Sequence, residues 1–74
     1  MNVHNEIVRL RDAWPAEFAD GARYGLLGKA DGPREKGGYP FGFHQWSLER
    51  RNAWYAGANR GLIERASREN GGAR

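Results

Sequence analysis

Two segments of the chain repeat one glycine-containing pattern. Residues 21–30 read GARYGLLGKA and residues 57–66 read GANRGLIERA, so both follow Gly-Ala-x-x-Gly-Leu-(Leu/Ile)-x-(Lys/Arg)-Ala. An aromatic residue, Phe18 or Trp54, lies about one helical turn before each first glycine. Each glycine inside a helix costs roughly 0.5–1 kcal/mol relative to alanine. We expect a helix to keep this cost only where a second helix approaches closely, or where bulky groups lie across the groove that the glycines leave. The repeat therefore predicts a pseudo-symmetric pair of packed helices.

The residues expected to pack at this helix pair are either glycines or large aromatics at helical spacing. They are Phe18, Gly21, Gly25, Gly28, Trp54, Gly57 and Gly61. A nucleotide-binding glycine loop is excluded, because no strand-like segment precedes either repeat and no G-x-x-x-x-G-K-(S/T) motif is present.

Start and stop signals divide the chain into three predicted helices. Pro15 suits the first position of a helix, Gly28 suits a left-handed C-cap, and Ser47 suits an N-cap. The predicted helices are 3–14, 15–28 and 48–67, joined by a loop at 29–46 that is rich in glycine, proline and aromatic residues. We therefore predict an all-α fold: a single small helical domain over 1–70, with a disordered tail at 71–74.

The first helix carries one apolar stripe, formed by Val3, Ile7, Leu10 and Trp14. The stripe either completes the core over the glycine-containing pair or serves as a seam for a homodimer or a protein partner. Sequence alone leaves both roles open.

Composition excludes several classes of site. Cysteine is absent, and the two histidines, His4 and His44, lie far apart, so we expect no disulfide, no metal and no cofactor. No apolar run approaches the length of a membrane span or a signal peptide, so we expect no membrane partner and a cytoplasmic location. The net charge is +3 and the sequence pI about 9.8, with Lys29 and Lys36 the only lysines among twelve cations. Arginine is the better bidentate phosphate ligand, so this balance favours an anionic partner.

Candidate catalytic groups are few. Ser47 is better explained as a helix cap, and Arg23 lies one turn from Asp20, where it would neutralise that carboxylate. No nucleophile lies beside a base at a recognisable spacing. We expect no catalytic residues and no enzymatic activity.

The segment after the second helix interleaves cations with aromatic side chains, a combination typical of proteins that bind unpaired RNA. Core packing is the competing role: it is favoured for Phe43, Trp46 and Trp54, and both roles stay open for Tyr39 and Phe41. The predicted nucleic-acid-binding residues are Lys29, Arg34, Lys36, Tyr39, Phe41, His44, Arg50, Arg51 and Arg60.

Residues 18–65 of the 74 resemble the ribosome modulation factor family of small bacterial proteins. The family's Gly-x-x-x-Gly-x-x-Gly followed by a cation matches Gly21, Gly25, Gly28 and Lys29. Its Pro-Tyr loop is similar to Pro40-Phe41, and its Arg-x-x-Trp-x-x-Gly matches Arg51, Trp54 and Gly57. The resemblance implies a non-catalytic protein that binds ribosomal RNA of the small ribosomal subunit and modulates translation, as in ribosome hibernation.

The chain departs from the family pattern in its longer loop, its lower charge and its first helix, which stands where family members have a basic leader. These departures leave two alternatives. One is a phage- or plasmid-encoded inhibitor module that binds a host protein. The other is an ATP-dependent drug-modifying resistance protein, an activity described for some relatives of the family.

Overall fold

Three helices form the architecture of the described residues. The structure is a computed structural model that describes residues 3–28, 34–36 and 38–72. Helix α1 spans Val3–Ala13, α2 spans Pro15–Leu27 and α3 spans Leu48–Gly72. Within these ranges no strand forms beyond an isolated bridge between Arg34 and Pro40. The predicted all-α fold of three helices is confirmed.

The boundaries of α2 and α3 follow the local signals. Pro15 is the first residue of α2, and Gly28 ends the helix at φ 72° and ψ 6°, with its N–H donating to the Tyr24 carbonyl at 2.8 Å. A residue with a side chain is strained at that positive φ, so glycine is favoured there. At the start of α3 the Ser47 hydroxyl accepts a hydrogen bond from the Arg50 N–H at 3.2 Å. These caps confirm the predicted roles of Pro15, Gly28 and Ser47.

Helix α3 is longer than predicted, because it ends at Gly72 rather than at residue 67. Two ion pairs at i,i+4 spacing, Arg65–Glu69 at 3.2 Å and Arg68–Glu64 at 2.9 Å, support the added turns. The prediction of a disordered tail at 71–74 is therefore wrong for residues 71–72, and residues 73–74 lie outside the described residues.

Part of the predicted loop at 29–46 is also helical. Phe43–Gln45 form one 3-10 turn, entered through Gly42 at φ 80°. The all-loop prediction missed this turn, because glycine and proline content argues against a long helix but not against a single turn.

The α2–α3 crossing brings backbone against backbone at four glycines. A Cβ placed on Gly21 or Gly25 would lie 2.1 Å from the carbonyl oxygen of Trp54 or Ala58, respectively. The equivalent glycines of α3 lie against α2 in the same way. A Cβ on Gly57 would lie 2.0 Å from the Phe18 carbonyl oxygen, and one on Gly61 would lie 2.1 Å from that of Ala22. Each helix thus meets its counterpart through the same positions of the repeat, and the glycine Cα–H groups are within reach of weak contacts to these carbonyls.

The core lies beside this crossing. Its buried apolar residues are Leu10, Phe43, Ala53 and Trp54, each at most 6% exposed. Leu10 comes from the stripe on α1. The Trp14 indole N–H donates to Glu49 Oε2 at 2.9 Å, and Arg9 donates to Glu49 Oε1 at 2.9 Å. Part of the apolar stripe of α1 therefore packs in the core of this chain.

Candidate nucleic-acid interface

An aromatic cluster fixes the described part of the loop against α3. Phe43 is 1% exposed at its centre, and its ring centroid lies 4.9 Å from that of Tyr39 and 5.3 Å from that of Trp54. The ring centroids of Trp46 and Tyr55 lie 5.3 and 5.4 Å from that of Phe43, and the His44 ring lies edge-on to it at 5.7 Å. Phe43 and Trp54 have the core role that was favoured for them, and Tyr39 packs as part of the same cluster.

A carboxylate beneath the cluster joins α2, the loop and α3. Asp20 accepts two hydrogen bonds from the Arg34 guanidinium, at 2.7 and 2.8 Å, and one from the Trp54 indole N–H at 2.8 Å. The bonds from Arg34, and secondarily the one from Trp54, hold the pKa of Asp20 below its usual range despite partial burial. The Arg34 side chain is only 16% exposed. We therefore remove Arg34 from the predicted RNA-contacting set.

Arg50 is also engaged within the fold. Its Nε donates to Glu17 Oε2 at 2.7 Å, and its guanidinium carbon lies 3.9 Å from the centre of the Trp46 ring. This cation–π and ion-pair arrangement links the start of α3 to α2. Arg50 thus has a structural role, and because its side chain is 36% exposed, its contact with RNA stays a prediction.

Glu35 organises the exposed turn that follows. Its N–H donates to the Tyr39 carbonyl at 2.7 Å, and one carboxylate oxygen accepts the Gly42 N–H at 2.7 Å. Its other carboxylate oxygen lies 3.6 Å from His44 Nε2. Glu35 thus contacts the chain on both sides of Phe41, through its backbone N–H at Tyr39 and through its carboxylate at Gly42 and His44.

Three predicted RNA-contacting side chains remain exposed around this turn. Phe41 is 74% exposed, the His44 side chain is 64% exposed, and Lys36 is exposed. We call Lys36, Phe41 and His44 the loop face. Glu35 connects them, because it precedes Lys36 in sequence, bonds the residue after Phe41 and approaches His44.

The other predicted cations are placed differently. Arg51 is half-buried, and its Nε has no hydrogen-bond partner among the described residues. Arg60 lines a cleft toward α1, away from the loop face. Lys29 lies outside the described residues. The structure therefore brings together only part of the predicted set.

A small cleft opens between the aromatic cluster and the C-terminal end of α2. We call it the tyrosine cleft; it has a volume of about 190 Å³. Tyr24, Tyr39, Trp54 and Tyr55 contribute its aromatic lining, and Arg65 lies at one end near Gly28. A hydrogen bond between Tyr39 and Tyr55 raises the pKa of Tyr55.

Sequence reasoning missed the tyrosine cleft. The sequence analysis does not single out Tyr55, although Tyr55, Ala58, Leu62 and Arg65 follow one another at steps of three and four residues. The spacing from Tyr55 to Arg65 was the available signal, because residues three or four apart share a helix face.

A second cleft, of about 200 Å³, lies between α1 and α3. Its apolar lining includes Ile7, Val8 and Ile63, and Arg11 and Arg60 also line it. Ile63 is 60% exposed, so this part of α3 presents apolar surface. Ile7 is the member of the predicted α1 stripe that lines this cleft.

No protein-family model, curated protein or solved structure matches the chain. Among the described residues, no helix is long and apolar enough to cross a membrane. Nor does that part of the chain bring together three or more histidine or carboxylate side chains able to hold a metal ion. The function is therefore inferred from the chain's own residues and contacts.

Proposed function

We propose that this chain is a non-catalytic protein of the ribosome modulation factor type, which binds ribosomal RNA of the small subunit in the cytoplasm and modulates translation. One observation carries the proposal: the ring of Phe41 is 74% exposed on a hydrogen-bonded turn that also carries the exposed side chains of Lys36 and His44. The resemblance through Gly21, Gly25, Gly28 and the Arg51–Gly57 motif supports the same function.

An exposed ring on a fixed turn suits stacking on an unpaired base. Stacking of a base on an aromatic side chain contributes about 1–3 kcal/mol. The Gly42 N–H donates to the Glu35 carboxylate, and the Glu35 N–H donates to the Tyr39 carbonyl, so the turn is held before any partner arrives. Contacts that already hold the described part of the turn lower the conformational entropy lost on binding.

The charge of the chain supports an anionic partner. Its net charge is +3, and Lys36 and His44 lie on the same turn as the exposed ring. Each phosphate contact to a single strand contributes a slope of about −0.7 to the salt dependence of log K. Binding through the loop face therefore combines a salt-dependent part with a salt-independent stacking part.

The test is co-sedimentation of the purified protein with small ribosomal subunits at low and high salt. Phe41→Ala should weaken binding about 5- to 150-fold, the range that corresponds to one lost stacking contact. Leu27→Ala is the matched control, because Leu27 is also an exposed apolar residue, at 51%, and lies outside the loop face. Lys36→Gln should lower the salt slope, with Arg68→Gln as the charge-matched control.

Arg50 is a poor choice for this test, since replacing it breaks the bond to Glu17 and so confounds binding with folding. Failure of the folded wild-type protein to pellet at any salt concentration would refute the proposal. Equal effects of Phe41→Ala and Leu27→Ala would refute the role of the loop face.

The α1–α3 cleft favours one second candidate, a module that binds a host protein. Exposed Ile63 and half-buried Ile7 offer apolar contacts, and Arg11 and Arg60 offer two cations. An amphipathic acidic helix would match this combination. Its binding would depend on Ile63 and show far less salt dependence than RNA binding does.

A further inference from the structure

The tyrosine cleft has the dimensions of a site for a single ring system. Its volume is about 190 Å³. A cavity of about 150 Å³ accommodates a benzene-sized molecule, whereas sites for drug-sized ligands begin near 300 Å³. The cleft can therefore receive one flat ring but not a large ligand.

The lining of the cleft selects for aromatic ligands. The Tyr24 ring centroid lies 5.5 Å from that of Trp54, and the Tyr39 centroid also lies 5.5 Å from it. Tyr55 is 46% exposed and stands edge-on to Trp54 at 5.7 Å. Because Trp54 is only 2% exposed, it closes the cleft on the core side, and the tyrosines supply the accessible ring surface.

Existing contacts hold these rings in place. The Tyr39 ring stacks on buried Phe43 and stands edge-on to the Tyr55 ring, at 6.2 Å between centroids. On the other side, a Cβ on Gly38 would lie 2.5 Å from the Tyr24 hydroxyl oxygen, so the loop backbone is packed against that ring. Contacts within the chain therefore position the lining of the cleft, which lowers the entropic cost of binding.

Arg65 determines the charge that the ligand must carry. Its Nε bonds to Glu69 at 3.2 Å, its side chain is 49% exposed, and an Nη atom lies 3.4 Å from a Cβ position built on Gly28. A guanidinium at the rim repels a cationic ligand, which an aromatic cage alone would favour. It attracts a ring that carries an anionic group, and it matches a phosphate bidentately.

We infer that the tyrosine cleft binds one unpaired nucleobase of RNA, with the adjoining phosphate on Arg65. This inference rests on the proposed function and gives it a second contact besides Phe41. The two are continuous on the surface, because Tyr39 contacts both His44 of the loop face and the rings of the cleft.

The test titrates the folded protein with single-stranded hexauridylate and with an abasic hexamer of the same phosphate count. NMR signals of the Gly28 amide and the Tyr55 ring report on the cleft. We expect them to shift with hexauridylate and to stay unchanged with the abasic strand. Arg65→Gln should weaken hexauridylate binding at least about tenfold, as loss of a charged hydrogen bond does.

Arg68→Gln is a closely matched control. Arg68 lies on the same helix, has its own i,i+4 carboxylate, and does not line the tyrosine cleft. Tyr55→Phe, which keeps the ring, should retain binding. Equal effects of Arg65→Gln and Arg68→Gln, equal shifts with the abasic strand, or binding of tetramethylammonium at the cleft in place of hexauridylate would overturn the inference.

The results separate this inference from the proposed function. Pelleting with small subunits, without any hexauridylate shift at Gly28 or Tyr55, would refute the cleft and leave the loop face standing. Shifts at the cleft without pelleting would refute the ribosomal function and leave the base site standing.

Discussion

Replacing a glycine at the helix crossing tests the fold most severely, and Gly61→Ala is the informative change. Its new Cβ would lie 2.1 Å from the Ala22 carbonyl oxygen and 2.7 Å from the Leu26 nitrogen. Both atoms belong to the backbone, so no side-chain rotation relieves the overlap. The helices would have to separate by more than about 1 Å to restore ordinary contact distances.

Two opposing effects set the magnitude. Helix propensity alone would make alanine more stable than glycine by roughly 0.5–1 kcal/mol. Overpacking of a close contact costs about 1–3 kcal/mol and more where nothing can yield. Because the obstacle at Gly61 is backbone, we expect a net loss of about 2 kcal/mol or more. That is a large share of the roughly 4–11 kcal/mol typical of a chain of this length.

Urea unfolding followed by far-UV circular dichroism measures this loss. Ala66→Gly is the calibration, because Ala66 is an exposed residue of the same helix, and that change should cost about 1 kcal/mol through propensity alone. The repeat adds a second expectation: Gly25→Ala should cost about as much as Gly61→Ala, since the two positions are equivalent. A Gly61→Ala variant as stable as the wild type, or more stable, would refute the close crossing.

Three further predictions concern the polar contacts. Asp20→Asn should lower the free energy of unfolding by about 1–3 kcal/mol at pH 7. Because the folded pKa of Asp20 lies below the unfolded one, its ionised form stabilises the fold above about pH 3.9. The difference in stability from wild type should therefore vanish as the pH falls further, which unfolding measured across the acid range will show. The hydrogen bond from Trp14 lowers the pKa of Glu49, so the Trp14 indole NMR signal should titrate with a midpoint below the usual pKa of a glutamate side chain. Arg50→Met should cost about 1 kcal/mol in thermal unfolding, because it removes the ion pair with Glu17 and the contact with the Trp46 ring; unchanged stability would contradict the structural role of Arg50.

The helix pair was predictable because its determinants are local. Glycine spacing, Pro15, Gly28 and Ser47 act within one or two turns, and each has a single strong conformational preference. The repeat also indicated which faces meet, since equivalent residues lie on equivalent faces. The end of α3 was missed because two i,i+4 ion pairs, Arg65–Glu69 and Arg68–Glu64, lie beyond the glycine-containing face on which the predicted helix rests.

The candidate interface was less predictable because its polar partners are distant in sequence. Asp20 receives Arg34, and Glu17 receives Arg50, only after the loop folds onto α2 and α3. No sequence spacing indicates which of several cations a carboxylate will bind. Exposure of Phe41 was likewise undecidable, because adjacent aromatics such as Phe43 compete for the same core.

The most direct test of the functional account is photo-crosslinking from position 41. A protein carrying p-benzoylphenylalanine in place of Phe41 would be mixed with small ribosomal subunits, irradiated and analysed for attached RNA and protein. The account predicts a salt-sensitive crosslink to ribosomal RNA from position 41 and none from the same probe at Ile63, in the α1–α3 cleft. A crosslink to protein from position 63, with no RNA attached at position 41, would contradict it.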